Sequence, residues 1–285
     1  GFDVVAYSGL ETKNKIEAGY VLKQGLITLV LTSPLHEDHP ENYRLIKHGD
    51  GVMDIAIEVD DVEKTYETVI QRGAKSVLAP TLLEDETGKL QIATIAAYGD
   101  TRHSFINRDK YKGVFAPGYK TLDPDRYGPP RMNPVGLKAI DHIVANVEEG
   151  KMREWVKWYE EVMGFSLLVS FDDKDISTEY SALMSKVMQN GSGKIKFPIN
   201  EPAQGKRKSQ IEEYLNFYHG PGVQHIALVT GDIIKTVSAM VNNDVSFLRV
   251  PRDYYDTLTE RVGQINEDIE ELAKLGILVD RDEDG

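Results

Sequence analysis

The chain writes nearly the same ten residues twice: HGDGVMDIAI at His48–Ile57 and HGPGVQHIAL at His219–Leu228. Setting Gly222 against Gly51 fixes an offset of 171, and the two copies then run without a gap from His48 to Pro80. Ten of those 33 positions are identical, His48/His219, Gly51/Gly222, Asp61/Asp232 and Thr65/Thr236 among them. A period this long is no solenoid repeat. It describes two copies of one module, which differ where Asp54 stands against His225.

Both copies share a local grammar. Short apolar stretches (Ile55–Val59 and Ile226–Val229) lead to Asp61 and Asp232, which can cap a following helix by accepting its free N–H groups. Val62, Tyr66, Val69 and Ile70 fall at helical spacing, as do Ile233, Val237, Met240 and Val241. Short strands are expected next, at Ser76–Leu78 and Ser246–Val250. In the first copy a hairpin follows, LQIATIAAY turning at Gly99-Asp100 into TRHSFIN.

The second module opens with LKAIDHIVANV (Leu137–Val147), which reads as a buried strand. A helix face follows, marked by Met152, Trp155, Val156, Tyr159, Val162 and Met163, with Gly164 as its stop. The fold class is therefore α+β, with modules at 1–109 and 137–285 joined by a Pro-rich linker, 110–136. By the same offset the opening strand and helix of the first module would lie before Gly1, and a chain that opens on Gly1 rather than Met is expected to be a fragment or a trimmed chain. LLEDETG (Leu82–Gly88) matches LVDRDEDG (Leu278–Gly285), so a closing hairpin of the second module is expected beyond Gly285.

Composition narrows the function. Asp and Glu total 46 against 33 Lys and Arg, a net charge of −13. Such a chain repels phosphate backbones, and its one compact basic run, Lys206-Arg207-Lys208, reads as a solvated loop, so nucleic-acid binding is not expected. No apolar run approaches a membrane span and no cationic-apolar leader opens the chain. The absence of cysteine excludes disulfides, thiolate metal sites and thiol nucleophiles, and fits a reducing cytoplasm.

His142 and His225 each sit at the centre of a short apolar strand. One histidine so placed is ordinarily a satisfied core residue. Two in corresponding strands of one module can instead share a divalent cation, which holds both imidazoles neutral. Spacing alone names no third ligand and leaves both readings open. His36 and His39 read as a solvated loop, His103 as a packed or hydrogen-bonded residue, and His48 and His219 as braces of their Gly-x-Gly turns.

Six stretches carry a family resemblance: GLETK (Gly9–Lys13), VLTSPL (Val30–Leu35), YGDTRHSF (Tyr98–Phe105), FDDKDISTEYSALMSKVM (Phe171–Met188), KIKFPINEPAQGKRKSQIEEYL (Lys194–Leu215) and GPGVQHIAL (Gly220–Leu228). Along essentially its whole length the chain resembles the 4-hydroxyphenylpyruvate dioxygenase family. The resemblance implies tandem vicinal-oxygen-chelate modules of βαβββ units with open mixed sheets. It also implies one Fe(II) per chain, held by His142, His225 and a glutamate on a final hairpin strand that the 285 residues lack. Two imidazoles and a carboxylate on one octahedral face would leave positions for a chelating 2-oxo acid and dioxygen.

Ser185, Asn200, Gln210 and Gln224 are the substrate contacts that the resemblance implies, all neutral hydrogen-bonding groups suited to a phenol. Alternation along the strand turns Gln224 away from the face of His225. The implied reaction converts 4-hydroxyphenylpyruvate to homogentisate in tyrosine breakdown, within a homo-oligomer, dimer or tetramer. Hydroxymandelate synthase, acting on the same substrate, and a metal-free binding protein that retains the fold are the rival readings.

Overall fold

A computed structural model of the chain describes residues 1–122, 134–171, 182–203 and 209–281. The basic run at Lys206–Lys208 and much of the Pro-rich linker lie outside these residues.

Asp3–Ser8 (β1), Glu17–Gln24 (β2) and Ile27–Pro34 (β3) form an antiparallel three-stranded sheet. After helix α1 (Asn42–His48) comes one complete strand–helix–three-strand unit: β4 (Asp54–Glu58), α2 (Val62–Gln71), β5 (Ser76–Asp85), β6 (Gly88–Ala96) and β7 (Arg102–Asn107). Its sheet runs in the order β4-β7-β6-β5, with β4 parallel to β7.

The second half repeats the pattern as β8 (Leu137–Asn146), α3 (Met152–Glu161), β9 (Ser166–Phe171), β10 (Ala182–Gln189) and β11 (Lys196–Ala203). Helix α4 (Gln210–Tyr218), β12 (Gly222–Thr230) and α5 (Ile233–Val241) follow. These five strands join in the order β12-β8-β11-β10-β9. The fold is thus α+β with open mixed sheets.

The aspartate caps form as the sequence requires. Asp61 accepts from the Lys64 backbone N–H and Asp232 from that of Lys235, each at 2.9 Å. Every helix leaves its first N–H groups without an intrahelical acceptor, so these carboxylates anchor both starts.

The strand expected at Ser246–Val250 is absent. In its place come three short helices, α6 (Arg252–Asp256), α7 (Leu258–Val262) and α8 (Ile269–Leu275). Tyr255, Leu258, Val262, Leu272 and Ile277 pack on Val237 of α5 as a separate apolar cluster. The strand that LLEDETG forms has no counterpart among the described residues of LVDRDEDG, of which 282–285 lie outside the described residues. Leu82–Asp85 is strand, whereas residues 278–281 are irregular, with the Val279 backbone bonded to the Tyr254 hydroxyl.

Helix α3 joins the two halves. Its face packs Met152, Val156 and Tyr159 against Ile143, Ala145, Phe197 and Ile199 of the second sheet, and the same core takes in Ile55 and Tyr98 of the first module. His103 of β7 is fully buried there. It stacks on Phe197, and its Nε2 accepts from the Tyr159 hydroxyl at 2.7 Å while Nδ1–H donates to the Ile55 carbonyl.

Burial pushes the His103 imidazole down to about 4. Below pH 6.5 the unfolded chain takes up a proton that the folded chain refuses, so stability is lost between pH 6.5 and about 4, by about 3 kcal/mol in all. Unfolding in urea at pH 7 and pH 4.5 will show this fall. His103→Gln, which retains an acceptor for Tyr159 but cannot titrate, will show less of it.

Candidate active site

Pairing between β8 and β12 brings the two strand histidines together. His142 lies opposite Ala227 and His225 opposite Val144, so both rings project from one face of the sheet, diagonally across the strand pair. Their centroids are 5.7 Å apart and their planes meet at 72°. Neither ring is sealed in the core: His142 is partly exposed and His225 exposed.

Each imidazole is oriented by the residue before it. His142 Nδ1 lies 2.7 Å from Asp141 Oδ2, and His225 Nδ1 lies 2.8 Å from Gln224 Oε1. Carboxylate and amide oxygens only accept, so both Nδ1 atoms carry hydrogen and both Nε2 lone pairs remain available. This is how histidines that bind a metal are commonly held. Lys196 Nζ reaches the other oxygen of Asp141 at 3.2 Å. Hydrogen bonding from His142, with help from Lys196, keeps the Asp141 carboxyl below its ordinary value. Burial and the neighbouring His142 depress the His225 imidazole and favour its neutral, ligating form.

The donors fit a borderline cation such as Fe(II) in chemistry and in tautomer. Among the described residues no third carboxylate or imidazole completes a cluster with the pair.

Two of the polar residues expected at the substrate, Ser185 and Asn200, extend from the histidines across the same face. Asn200 of β11 registers with Asn146 of β8, and Ser185 of β10 registers with Asn200. Asn146 is four residues beyond His142, so alternation gives it and its two neighbours the histidines' face. Ser185, Asn200 and Asn146 are 6%, 7% and 0% exposed. All three belong to strands.

Gln210 is the exposed first residue of α4, a helix capped by Ser209, whose hydroxyl accepts from the Glu212 N–H at 3.2 Å. Gln224 behaves otherwise than alternation implies. A register shift between Val223 and His225 re-aims it, and its amide oxygen holds His225. Sequence reasoning passed over Asp141, Lys196 and Asn146. The even spacing His142, Val144, Asn146 was the signal that could have exposed the last.

The repeat's glycines explain why the motif is written twice. A Cβ on Gly222 would lie 2.4 Å from Tyr218 Cε1, and one on Gly51 would lie 2.7 Å from Tyr218 Cε2. One buried tyrosine ring of α4 is thus clasped by the same glycine of both copies. His48 stacks on that ring at 4.2 Å, bonds to the Tyr218 carbonyl through Nδ1, and meets Asp100 at 2.8 Å through Nε2. Its counterpart His219 caps α4 in a left-handed conformation, φ 58°.

In the first module Asp54 replaces the second histidine, and its Oδ2 accepts from Ser104 at 2.6 Å. Burial raises the Asp54 carboxyl despite that bond. The copy keeps the fold and turns the position into an internal hydrogen bond. In the 36–39 loop His36 is exposed as expected, whereas the His39 side chain is largely buried beside Glu17 and its Nδ1 accepts from the Glu41 N–H, so the solvated reading holds for His36 alone.

Residues 139–285 match the Glyoxalase/Bleomycin resistance protein/Dioxygenase superfamily. The chain is 47% identical to a 4-hydroxyphenylpyruvate dioxygenase of Dictyostelium discoideum, over all of this chain and 79% of that protein. It is 43% identical to one of Coccidioides posadasii, over 76% of that protein. A triple variant of 4-hydroxymandelate synthase from Streptomyces coelicolor superposes with a TM-score of 0.83 at 30% identity, covering 99% of this chain and 78% of that one.

Paired strand–helix–three-strand units and these matches define a vicinal-oxygen-chelate protein of the glyoxalase/dioxygenase superfamily. Within it the chain belongs to the 4-hydroxyphenylpyruvate dioxygenase family and is an enzyme of that type. Among the described residues no helix is long and apolar enough to cross a membrane.

Proposed function

We propose that the protein carries out the Fe(II)-dependent oxidative decarboxylation and ring hydroxylation of 4-hydroxyphenylpyruvate, yielding homogentisate in tyrosine breakdown. The observation that carries this reading is the His142–His225 pair, two tautomer-locked imidazoles with free Nε2 atoms on one sheet face. These histidines would hold the iron, with a glutamate from outside the 285 residues as the third ligand. When bound, Fe(II) supplies open positions for the substrate's oxo acid and for dioxygen.

The chain's own residues do the rest. Asp141 and Gln224 fix the two imidazoles, and Lys196 fixes Asp141. Ser185 and Asn200 present neutral hydrogen-bonding groups to the aromatic end of the substrate without ionising its phenol. Helix α4, whose Tyr214 and Tyr218 lie against Gly222, covers the inner end of the face and keeps water from it.

An oxygen electrode with Fe(II), ascorbate and 4-hydroxyphenylpyruvate, followed by chromatography of the product, tests the proposal. Homogentisate formed with substrate-dependent oxygen uptake is the expected result. Hydroxymandelate would assign the synthase reaction, and no uptake by the iron-loaded, full-length protein would refute both. Gln210→Ala should lower turnover roughly tenfold or more, as loss of a substrate hydrogen bond would, and leave iron content unchanged. Loss of iron in proportion to activity would show that Gln210 does not act on the substrate.

A further inference from the structure

Asn146 is a polar residue of the site-facing row that the proposed reaction has not used. It is completely buried, and among the described residues neither its Nδ2 nor its Oδ1 has a hydrogen-bond partner. Both atoms of one interior amide are thus unsatisfied, although buried polar groups are almost always paired. Its neighbours limit the groups that could satisfy it. On one side its register partner is Gly222, which has no side chain and faces the rings of Tyr214 and Tyr218. On the other side its register partner is Asn200.

We infer that Asn146 is a positioning residue whose amide pairs with that of Asn200 when substrate binds, and so sets which end of the Asn200 amide meets the substrate's phenol. The terminal torsion of an asparagine is soft, so rotation within the two side chains brings the donor of one to the acceptor of the other. The residue acts through Asn200, because it has no accessible surface of its own. The consequence is selectivity for a hydroxylated ring. An aryl substrate lacking the hydroxyl leaves the oriented amide unpaired, and sites built around a hydrogen bond reject such analogues strongly.

This inference rests on the proposed arylpyruvate chemistry, and its test separates the two. Dissociation constants for 4-hydroxyphenylpyruvate and phenylpyruvate are measured without oxygen on the Fe(II)-loaded, full-length protein. Asn146→Leu, close to asparagine in size, should weaken 4-hydroxyphenylpyruvate about tenfold, the loss of one hydrogen bond, and leave phenylpyruvate within a factor of about two. In an Asn200→Ala background the same replacement should change neither constant, because the coupling has gone. Iron content should be unaffected.

Asn146→Ala gives the same readouts if the leucine variant does not fold. Equal weakening of both ligands, or an undiminished effect in the Asn200→Ala background, would assign Asn146 a merely structural role and overturn the inference. An unaltered protein that binds 4-hydroxyphenylpyruvate no better than phenylpyruvate would overturn the proposed chemistry, and the inference with it.

Discussion

Replacing His142 or His225 by alanine is expected to abolish stoichiometric iron binding and, with it, substrate-dependent oxygen uptake. The loss should exceed the roughly 10- to 100-fold typical when a residue behind a metal ligand is changed. Asp141→Asn provides that milder comparison, because the amide still bonds to His142 Nδ1 but no longer brings a charge. Metal analysis of protein purified without oxygen measures both effects. The fold should survive, since neither ring lies in the apolar core. A variant lacking both histidines that still retained one iron per chain would remove these residues from the site.

Gly222→Ala is expected to damage fold and site together. The added methyl would fall 2.4 Å from Tyr218 Cε1 and 2.5 Å from Tyr214 Oη. Neither ring can yield easily: Tyr218 is 5% exposed and stacked between His48 and Tyr214, and the Tyr214 hydroxyl donates to the Val223 carbonyl at 3.0 Å. Overpacking of this kind costs about 1–3 kcal/mol. Helix α4 would shift away from β12, which also carries His225, so substrate affinity should fall along with the melting temperature. Gly191→Ala is the control. Its added Cβ meets nothing within 4 Å, and stability should not change.

What the sequence revealed and what it withheld have physical reasons. The repeat, the aspartate caps and the two strand histidines were legible because each is a local signal: an identity, a capping residue, an apolar alternation. Asp61 and Asp232 cap helices whatever the rest of the chain does. Gln224 departs from strict alternation because the register shift beside His225 comes from pairing with β8, far away in the chain. After α5 the repeat no longer predicts the structure, because identity between the two copies has run out. Asp268 caps α8 by accepting from two backbone N–H groups, and Gly276 ends it, both visible as local signals. Asn146 went unread because a buried amide looks like any strand residue until its partners, or their absence, are known.

X-ray absorption at the iron edge, on protein loaded with Fe(II) under nitrogen, tests the central claim most directly. The account predicts scattering from two imidazoles, which His142→Ala and His225→Ala each reduce, and a change in the oxygen shell when 4-hydroxyphenylpyruvate is added. An iron coordination shell without imidazole, or one that both replacements leave untouched, would contradict it.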